Sequence, residues 1–316
     1  MRSGSEEHSE AMLRVAQLYH EQGLTQEDIA RRLHLTRWKV GRLLEEARET
    51  GMVRIEIVHP RARRHGAEQE LVRRFGLRAA VVVPATDDQA ELLARVGRAA
   101  ADWLADLRPA PRVLGVSWGH TLDQVAACIS PGWTRGVHVV QLNGGVSRSH
   151  RATTAADVAS RIAQAGAGTA SLLPAPAILE KATVRRALEG DPSVRSVLDR
   201  GRAADVLLYS LGALSNSSVL VESGYLSTRD ITTLRSAGAC GDLLSRFIGA
   251  DGQPVDAQLE ERTVGLNLAD VRAAAWAVAV AAGAEKHDVV RAAVTNGLAT
   301  VLVTDEATAA HLLEAA

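Results

Sequence analysis

Val113-Leu114-Gly115-Val116-Ser117-Trp118-Gly119-His120-Thr121 is the stretch on which the fold turns. It opens as an apolar run of strand character, passes through glycines, and continues into a helical pattern over residues 122–129. A strand that enters a helix through a glycine turn is half of a βα unit. Runs of the same kind recur at 80–83, 137–142, 205–211 and 299–303, each separated by amphipathic helical segments. Periodicity leaves 274–280 open between strand and helix; a glycine break and a new helix follow it, so it is read as strand. This alternation predicts an α/β fold, a Rossmann-like parallel sheet covered by helices.

The same stretch carries chemistry. Glycines let backbone amides approach an anion, and the N-terminus of the following helix adds its dipole. Ser117 and Thr121 offer hydroxyl donors beside Trp118, Gly119 and His120. The letters also spell G-x-S-x-G, which would make Ser117 a nucleophile. The later histidines His287 and His311 fall in helical patterns with no oxyanion-type loop beside them, so the anion reading is preferred. A second glycine turn, Asn143-Gly144-Gly145, follows the next run: Asn143 suits a sugar hydroxyl, although Asn-Gly is equally a plain turn signal. Further on stand Gly238-Ala239-Cys240-Gly241-Asp242 and Gly283-Ala284-Glu285-Lys286. Only three lysines occur, Lys39, Lys181 and Lys286. A sugar phosphate needs anion donors at one end and directional acceptors at the other. A dipole-backed glycine loop, Lys286 and Asp242 supply both.

Residues 1–58 read differently. A helix over 7–21 ends at Gly23. Thr25-Gln26-Glu27-Asp28 has the spacing of a capping box opening a second helix with Ile29, Ala30 and Leu33 inward. After His34-Leu35, Thr36 caps a third helix with Val40, Leu43, Leu44 and Ala47 at a 3.6 period. Two short helices about so brief a turn make a helix-turn-helix. Arg37, Trp38, Lys39 and Arg42 begin the last helix, where a recognition helix meets base edges. Between residues 24 and 64 there are ten Lys and Arg against six Asp and Glu, with Glu45, Glu46 and Glu49 away from that first turn. Thr25, Thr36, Arg37, Trp38, Lys39 and Arg42 are the DNA-binding candidates. Alternation over 53–57 suggests a small wing strand. The basic run His59-Pro60-Arg61-Ala62-Arg63-Arg64-His65-Gly66 reads as linker, with Arg61, Arg63 and Arg64 either solvated or set against phosphate.

Leu24-Thr25-Gln26-Glu27-Asp28-Ile29-Ala30, Val40-Gly41-Arg42-Leu43-Leu44-Glu45-Glu46-Ala47-Arg48 and Gly51-Met52-Val53 resemble the DNA-binding domain of the SorC family of bacterial sugar-responsive transcriptional regulators. Residues 115–122, 142–145, 173–176, 238–242, 283–286 and 302–306 occur in the order of that family's effector domain, so the resemblance spans nearly the whole chain. It implies an effector domain similar in fold to sugar-phosphate isomerases and glucosamine-6-phosphate deaminases. It also implies phosphorylated sugars or polyols as effectors, and assembly as homo-dimers or homo-tetramers on double-stranded operator DNA. Carried over by position, Ser117, Gly119 and Thr121 hold phosphate, Asp242 binds hydroxyls, and Lys286 pairs with phosphate or approaches a carbonyl carbon. The expected division is a DNA-binding domain over 1–58, a linker and linking helix over 59–78, and an effector domain over 79–316. The alternative is an isomerase- or deaminase-like enzyme carrying a DNA-binding module.

Composition bounds the rest. The 316 residues carry 36 Lys and Arg against 37 Asp and Glu, a formal net charge of −1, with 47% hydrophobic and 23% charged residues. That suits a globular chain of about two domains and excludes a disordered one. Two cysteines, Cys128 and Cys240, are too few for a disulfide framework or a four-thiolate zinc site. No metal, cofactor or catalytic constellation is expected. The polar, acidic start is unlike a signal peptide, and the longest weakly polar stretch, 273–284, is too short to span a bilayer. A cytoplasmic protein without a membrane partner is the expectation.

Overall fold

The computed structural model describes residues 3–53, 63–145 and 155–314. The chain divides into two compact units, Met1–His59 and Pro60–Ala316.

The first unit holds three helices, α1 (Ser3–His20), α2 (Gln26–Leu33) and α3 (Arg37–Glu49). Thr25 is extended, and its hydroxyl accepts the Asp28 N–H at 3.2 Å while donating to the Asp28 carboxylate at 2.6 Å. Thr36 caps α3 the same way, accepting the Lys39 N–H at 3.2 Å. Between the two helices His34 takes a left-handed conformation (φ 55°), which stops α2 and turns the chain. The 3.6-period positions meet in one seam: Met12, Val15 and Leu18 of α1 pack with Ile29 of α2 and Val40, Leu43 and Leu44 of α3. Burying a Leu, Ile or Val is worth about 1.5–3 kcal/mol each, and in so small a unit that seam is the main source of stability. Val53 is half-buried; residues 54–57 of the expected wing strand, and Arg61, lie outside the described residues.

The second unit opens with α4 (His65–Phe75), β1 (Ala79–Val83), α5 (Gln89–Asp106), β2 (Val113–Val116), α6 (His120–Cys128), β3 (His138–Gln141), α7 (Ala155–Ala165) and β4 (Thr169–Ser171). It continues through α8 (Ala182–Gly190), α9 (Pro192–Arg202), β5 (Val206–Ala213), α10 (Val219–Glu222), α11 (Thr228–Ser236), β6 (Gly241–Leu243) and β7 (Arg246–Ile248). It closes with α12 (Ala257–Glu260), α13 (Leu268–Ala273), β8 (Ala277–Val280), α14 (His287–Thr295), β9 (Val301–Asp305) and α15 (Glu306–Glu314). Strand order is β1-β9-β8-β5-β2-β3-β4, all parallel, and the antiparallel hairpin β6–β7 hangs on the far end of β5. Each strand expected in the second unit is present; the one read over 274–280 begins only at Ala277, and the last lies two residues later than expected, at Val301–Asp305.

Alternate strand residues feed two cores, one on each face of the sheet. Ala80, Val82, Leu207, Tyr209 and Leu302 join the face covered by α4, α9 and α14; Val81, Val83, Leu114, Val116 and Leu208 join the face covered by α5, α6 and α7. Burial on both faces explains why these strands read as unbroken apolar runs.

The basic run at 59–66 is not linker to its end. His65 and Gly66 form the first turn of α4, whose Leu71 is fully buried in the core. Arg63 bonds the buried Glu68 at 2.7 Å and the Ala80 carbonyl, and Arg64 pairs with Glu306 at 3.0 Å. The Arg64 N–H and the Glu68 carboxylate meet the Val82 carbonyl and N–H, so polar groups of α4 and its approach cover the free edge of β1. Unpaired sheet edges invite other strands, and this cover removes that hazard.

Candidate functional site

In the first unit, the DNA-binding candidates gather at the N-termini of α2 and α3. The hydroxyls of Thr25 and Thr36 are used as helix caps. Arg37, Trp38 and Arg42 are exposed, Trp38 with 71% of its surface free, and Lys39 is half-buried. Gly41 leaves space toward Gln26, and Gln26, Arg37, Trp38 and Arg42 border one open hollow. Glu45, Glu46 and Glu49 line its other end, so the basic end of α3 is the one suited to a phosphate backbone.

In the second unit, a cleft of about 450 Å³ lies at the carboxyl ends of the strands. Chain order reverses between β2 and β5: from β2 the chain proceeds to β3 on one side, from β5 to β8 on the other. In open parallel sheets, ligands bind at this crevice. The turn after β2 contributes Gly119, His120 and Thr121, with Gly119 at φ 125°, a conformation that only glycine adopts readily. The end of β5 and its loop contribute Ser210, Gly212, Ser215, Ser217 and Ser218. Asp242 comes from β6, and Glu285 and Lys286 from the 3-10 turn Ala284–Lys286 after β8.

Each charged group is held in place by its neighbours. Lys286 Nζ donates to Thr121 Oγ1 at 3.4 Å, and burial lowers its pKa against the pull of Glu285, Asp242 and Asp305. Asp242 Oδ2 accepts the Ser245 N–H at 3.1 Å. Burial pushes its carboxyl up to about 6, although Ser245 and Lys286 both favour the ionised form. Buried Asp305 fixes the turn beneath Lys286 by accepting the Gly283 N–H at 2.9 Å and both donors of Thr308. His120, at the rim, stands 3.5 Å from Glu222. The Ser218 hydroxyl is buried without a hydrogen-bond partner at the N-terminus of α10. A buried orphan donor in a cleft that also holds a lysine suits an anion.

Gly119, His120, Thr121, Asp242 and Lys286 therefore share one cleft. Ser117, Trp118, Asn143, Gly144 and Gly145 do not line it. Ser117 donates to Asn143 Oδ1 at 2.9 Å, and Asn143 donates to Ser245 Oγ at 3.2 Å, all three buried. The Trp118 indole N–H donates to the Gly144 carbonyl at 2.9 Å. A Cβ on Gly144 would stand 2.1 Å from the Pro176 carbonyl oxygen, and one on Gly145 would strike Ala155. These glycines serve backbone packing rather than ligand entry, and the Ser117–Asn143 pair braces the floor beneath Asp242. His287 and His311 stack on each other, with ring centroids 4.3 Å apart, instead of completing a Ser117 triad.

The sequence reading passed over Ser215, Ser217, Ser218 and Gly212. A cluster of serines and an asparagine just past a strand end was the available signal for the first three. Gly212 gave none: a Cβ there would lie 1.9 Å from Asp242 Oδ1, so its bare backbone makes room for that carboxylate. Among the described residues, no group of three or more His, Cys, Asp or Glu side chains could hold a metal ion, and no helix is long and apolar enough to cross a membrane.

Residues 60–314 match the family model described as "Putative sugar-binding domain". The deoxyribonucleoside regulator of Bacillus subtilis (strain 168) is 31% identical over 308 residues, covering 97% of this chain and 98% of its own. The transcriptional regulator LsrR of Klebsiella pneumoniae (strain ATCC 700721 / MGH 78578) is 32% identical over 314 residues, covering 96% and 93%. The crystal structure of the full-length sorbitol operon regulator SorC from Klebsiella pneumoniae superposes with a TM-score of 0.72 at 26% identity, covering 96% of this chain and 98% of that one. A helix-turn-helix unit, a parallel-sheet unit with a polar cleft at its switch point, and likeness along almost the full length agree: the chain belongs to the SorC family of sugar-binding transcriptional regulators.

Proposed function

We propose that this chain binds double-stranded operator DNA through its helix-turn-helix unit, as a homo-dimer or homo-tetramer in the cytoplasm. A phosphorylated sugar or polyol in the cleft then changes operator affinity without being chemically converted. One observation carries the ligand class: Lys286, the unpartnered Ser218 hydroxyl and the N-terminus of α6 meet in a single cleft with Asp242. The first three suit a phosphate. Asp242, its carboxyl near neutrality, can accept from a sugar hydroxyl or donate to one. The Bacillus relative is named for deoxyribonucleosides, which contain a sugar, and the Klebsiella structure for a sorbitol operon, sorbitol being a polyol; both compounds carry several hydroxyls. Effector control requires that the ligand bind two arrangements of the regulator unequally.

A thermal-shift screen of sugar phosphates, free sugars and polyols against the full chain tests this. A ligand at 100 times its Kd stabilises the folded state by about 2.7 kcal/mol. Lys286→Ala is expected to abolish that shift and the ligand-induced change in operator binding while leaving DNA binding at low salt intact. If the operator response survives with unchanged ligand affinity, the cleft is the wrong site. Phosphorus NMR of the binding ligand is expected to return it unaltered; turnover would overturn the non-enzymatic reading.

A further inference from the structure

The first unit carries a side-chain chain that its packing does not require. On the exposed face of α3, the Arg42 guanidinium lies over the Trp38 indole, its central carbon 5.7 Å from the ring centroid. Arg42 Nε donates to Glu46 Oε1 at 2.9 Å, and the other carboxylate oxygen stands 2.6 Å from His8 Nε2 on α1. None of the four joins the apolar seam of this unit. An exposed arginine is normally mobile, and ordering it costs side-chain entropy. Here one end is clamped by a half-buried carboxylate and one face is covered by an indole that is itself 71% exposed.

We infer that Trp38 and Arg42 together read one base step, a T·A pair next to a G·C pair, and that Glu46, braced by His8, is the positioning residue that aims Arg42. This rests on the reading of α3 as the helix that enters the major groove. Arginine is the commonest bidentate partner of guanine O6 and N7, and the thymine methyl is the major-groove feature that takes apolar contact. Two side chains this close cannot address distant base pairs: successive pairs rise about 3.4 Å, and the 5.7 Å between guanidinium and indole is less than two such rises, so the partners meet the same or adjoining pairs. The indole edge beyond Arg42 then covers a methyl while the guanidinium beside it engages guanine. Glu46 leaves Arg42 its terminal nitrogens by taking Nε, the donor not needed for a two-pronged contact. Glu45 and Glu49, further along the helix, keep phosphates from that end and confine reading to the first turns.

The test uses the full chain and a library of random-sequence duplexes, followed by fluorescence-anisotropy titration on the selected DNA. The selected half-sites are expected to share a T adjacent to a G. Replacing that T by deoxyuridine, which lacks only the methyl, is expected to weaken wild-type binding about threefold or more and to leave Trp38→Ala unaffected. Replacing the G by 7-deazaguanine, which lacks the N7 acceptor, is expected to cost wild type about tenfold and Arg42→Ala nothing. Glu46→Gln is expected to keep its thermal unfolding and its affinity for random duplex while its preference for guanine over 7-deazaguanine shrinks, a readout that a merely structural role would not move. Selected sites without a T–G step, or equal uracil sensitivity in wild type and Trp38→Ala, overturn this inference and leave DNA binding standing. Failure to select any duplex overturns both.

Discussion

Asp242 shows how the cleft costs the fold. Its carboxyl is raised from 3.8 to about 6 because burial disfavours the charged form more than Ser245 and Lys286 favour it. Between those two values the folded chain holds a proton that the unfolded chain releases. The contribution of this group to stability therefore falls as pH rises from about 4 to 6 and stays lost above. Asp242→Asn is expected to raise the melting temperature at pH 7.5 but not at pH 4, by the equivalent of about 2 kcal/mol at most, since Lys286 loses a counter-charge. Thermal unfolding of both proteins at the two pH values checks this; an equal effect at both would show that the residue is not held in this environment. Ligand affinity should fall in the same variant, the usual trade between stability and function. The residues behind this were unequally legible. Asp242 and Lys286 stood out because charged groups beside glycines are chemically conspicuous. Gly212 did not, because what it accommodates lies on another strand thirty residues away.

Among elements, α2 and α3 were the easiest to read. Their start signals are local: Thr25 and Thr36 each bond an N–H three residues on, within one turn of chain. Thr36→Ala is expected to cost about 1 kcal/mol by leaving that donor unsatisfied and to weaken DNA binding, since the first turn of α3 carries Arg37 and Trp38. Circular dichroism melting and operator titration measure the two effects, and a melt and an affinity both unchanged would count against the cap. The hairpin β6–β7 was harder. Leu243 and Arg246 pair across a two-residue turn in which Leu244 and Ser245 both take positive φ, 52° and 67°. Such turns are normally announced by Asn-Gly or Asp-Gly; here Leu244 is buried in the core, and tertiary packing overrides the local preference. Arg246 was equally hidden: flanked by Leu243, Leu244, Phe247 and Ile248, it is buried, donates to the Leu266 and Gly265 carbonyls at 2.8 and 3.0 Å, and pairs with Glu260. A buried guanidinium needs that full set of acceptors, and no local spacing announces carbonyls twenty residues away.

At the scale of the whole molecule, the regulator reading makes a geometric demand. A homo-oligomer places two copies of α3 on one duplex, and half-sites one helical turn apart lie about 34 Å from each other. Light scattering of the full chain is expected to give a dimer or tetramer. Operator affinity should fall steeply with salt, log K dropping by about 0.9 for each phosphate neutralised. A monomer binding a single half-site with full affinity would overturn the assembly. Within the second unit, Arg64 pairs with Glu306, the neighbour of the Asp305 that holds the Gly283 turn under Lys286.

Sequence alone determined what depends on near neighbours: the capped helices of the first unit, the alternation of strands and helices in the second, and the glycine turn after β2. Periodicity, caps and turns act over one or two turns of chain, and their free energies are local. The tertiary structure decided which polar residues meet. Ser117 and Asn143 lie at strand ends as the pattern implied, yet they bond each other beneath the floor. Ser218, Asp242 and Lys286 converge because β5 pairs with β2 on one side and β8 on the other, and β6 folds back on β5. Those pairings join residues far apart along the chain, and burial of whole strands selects them, which no short window of sequence encodes.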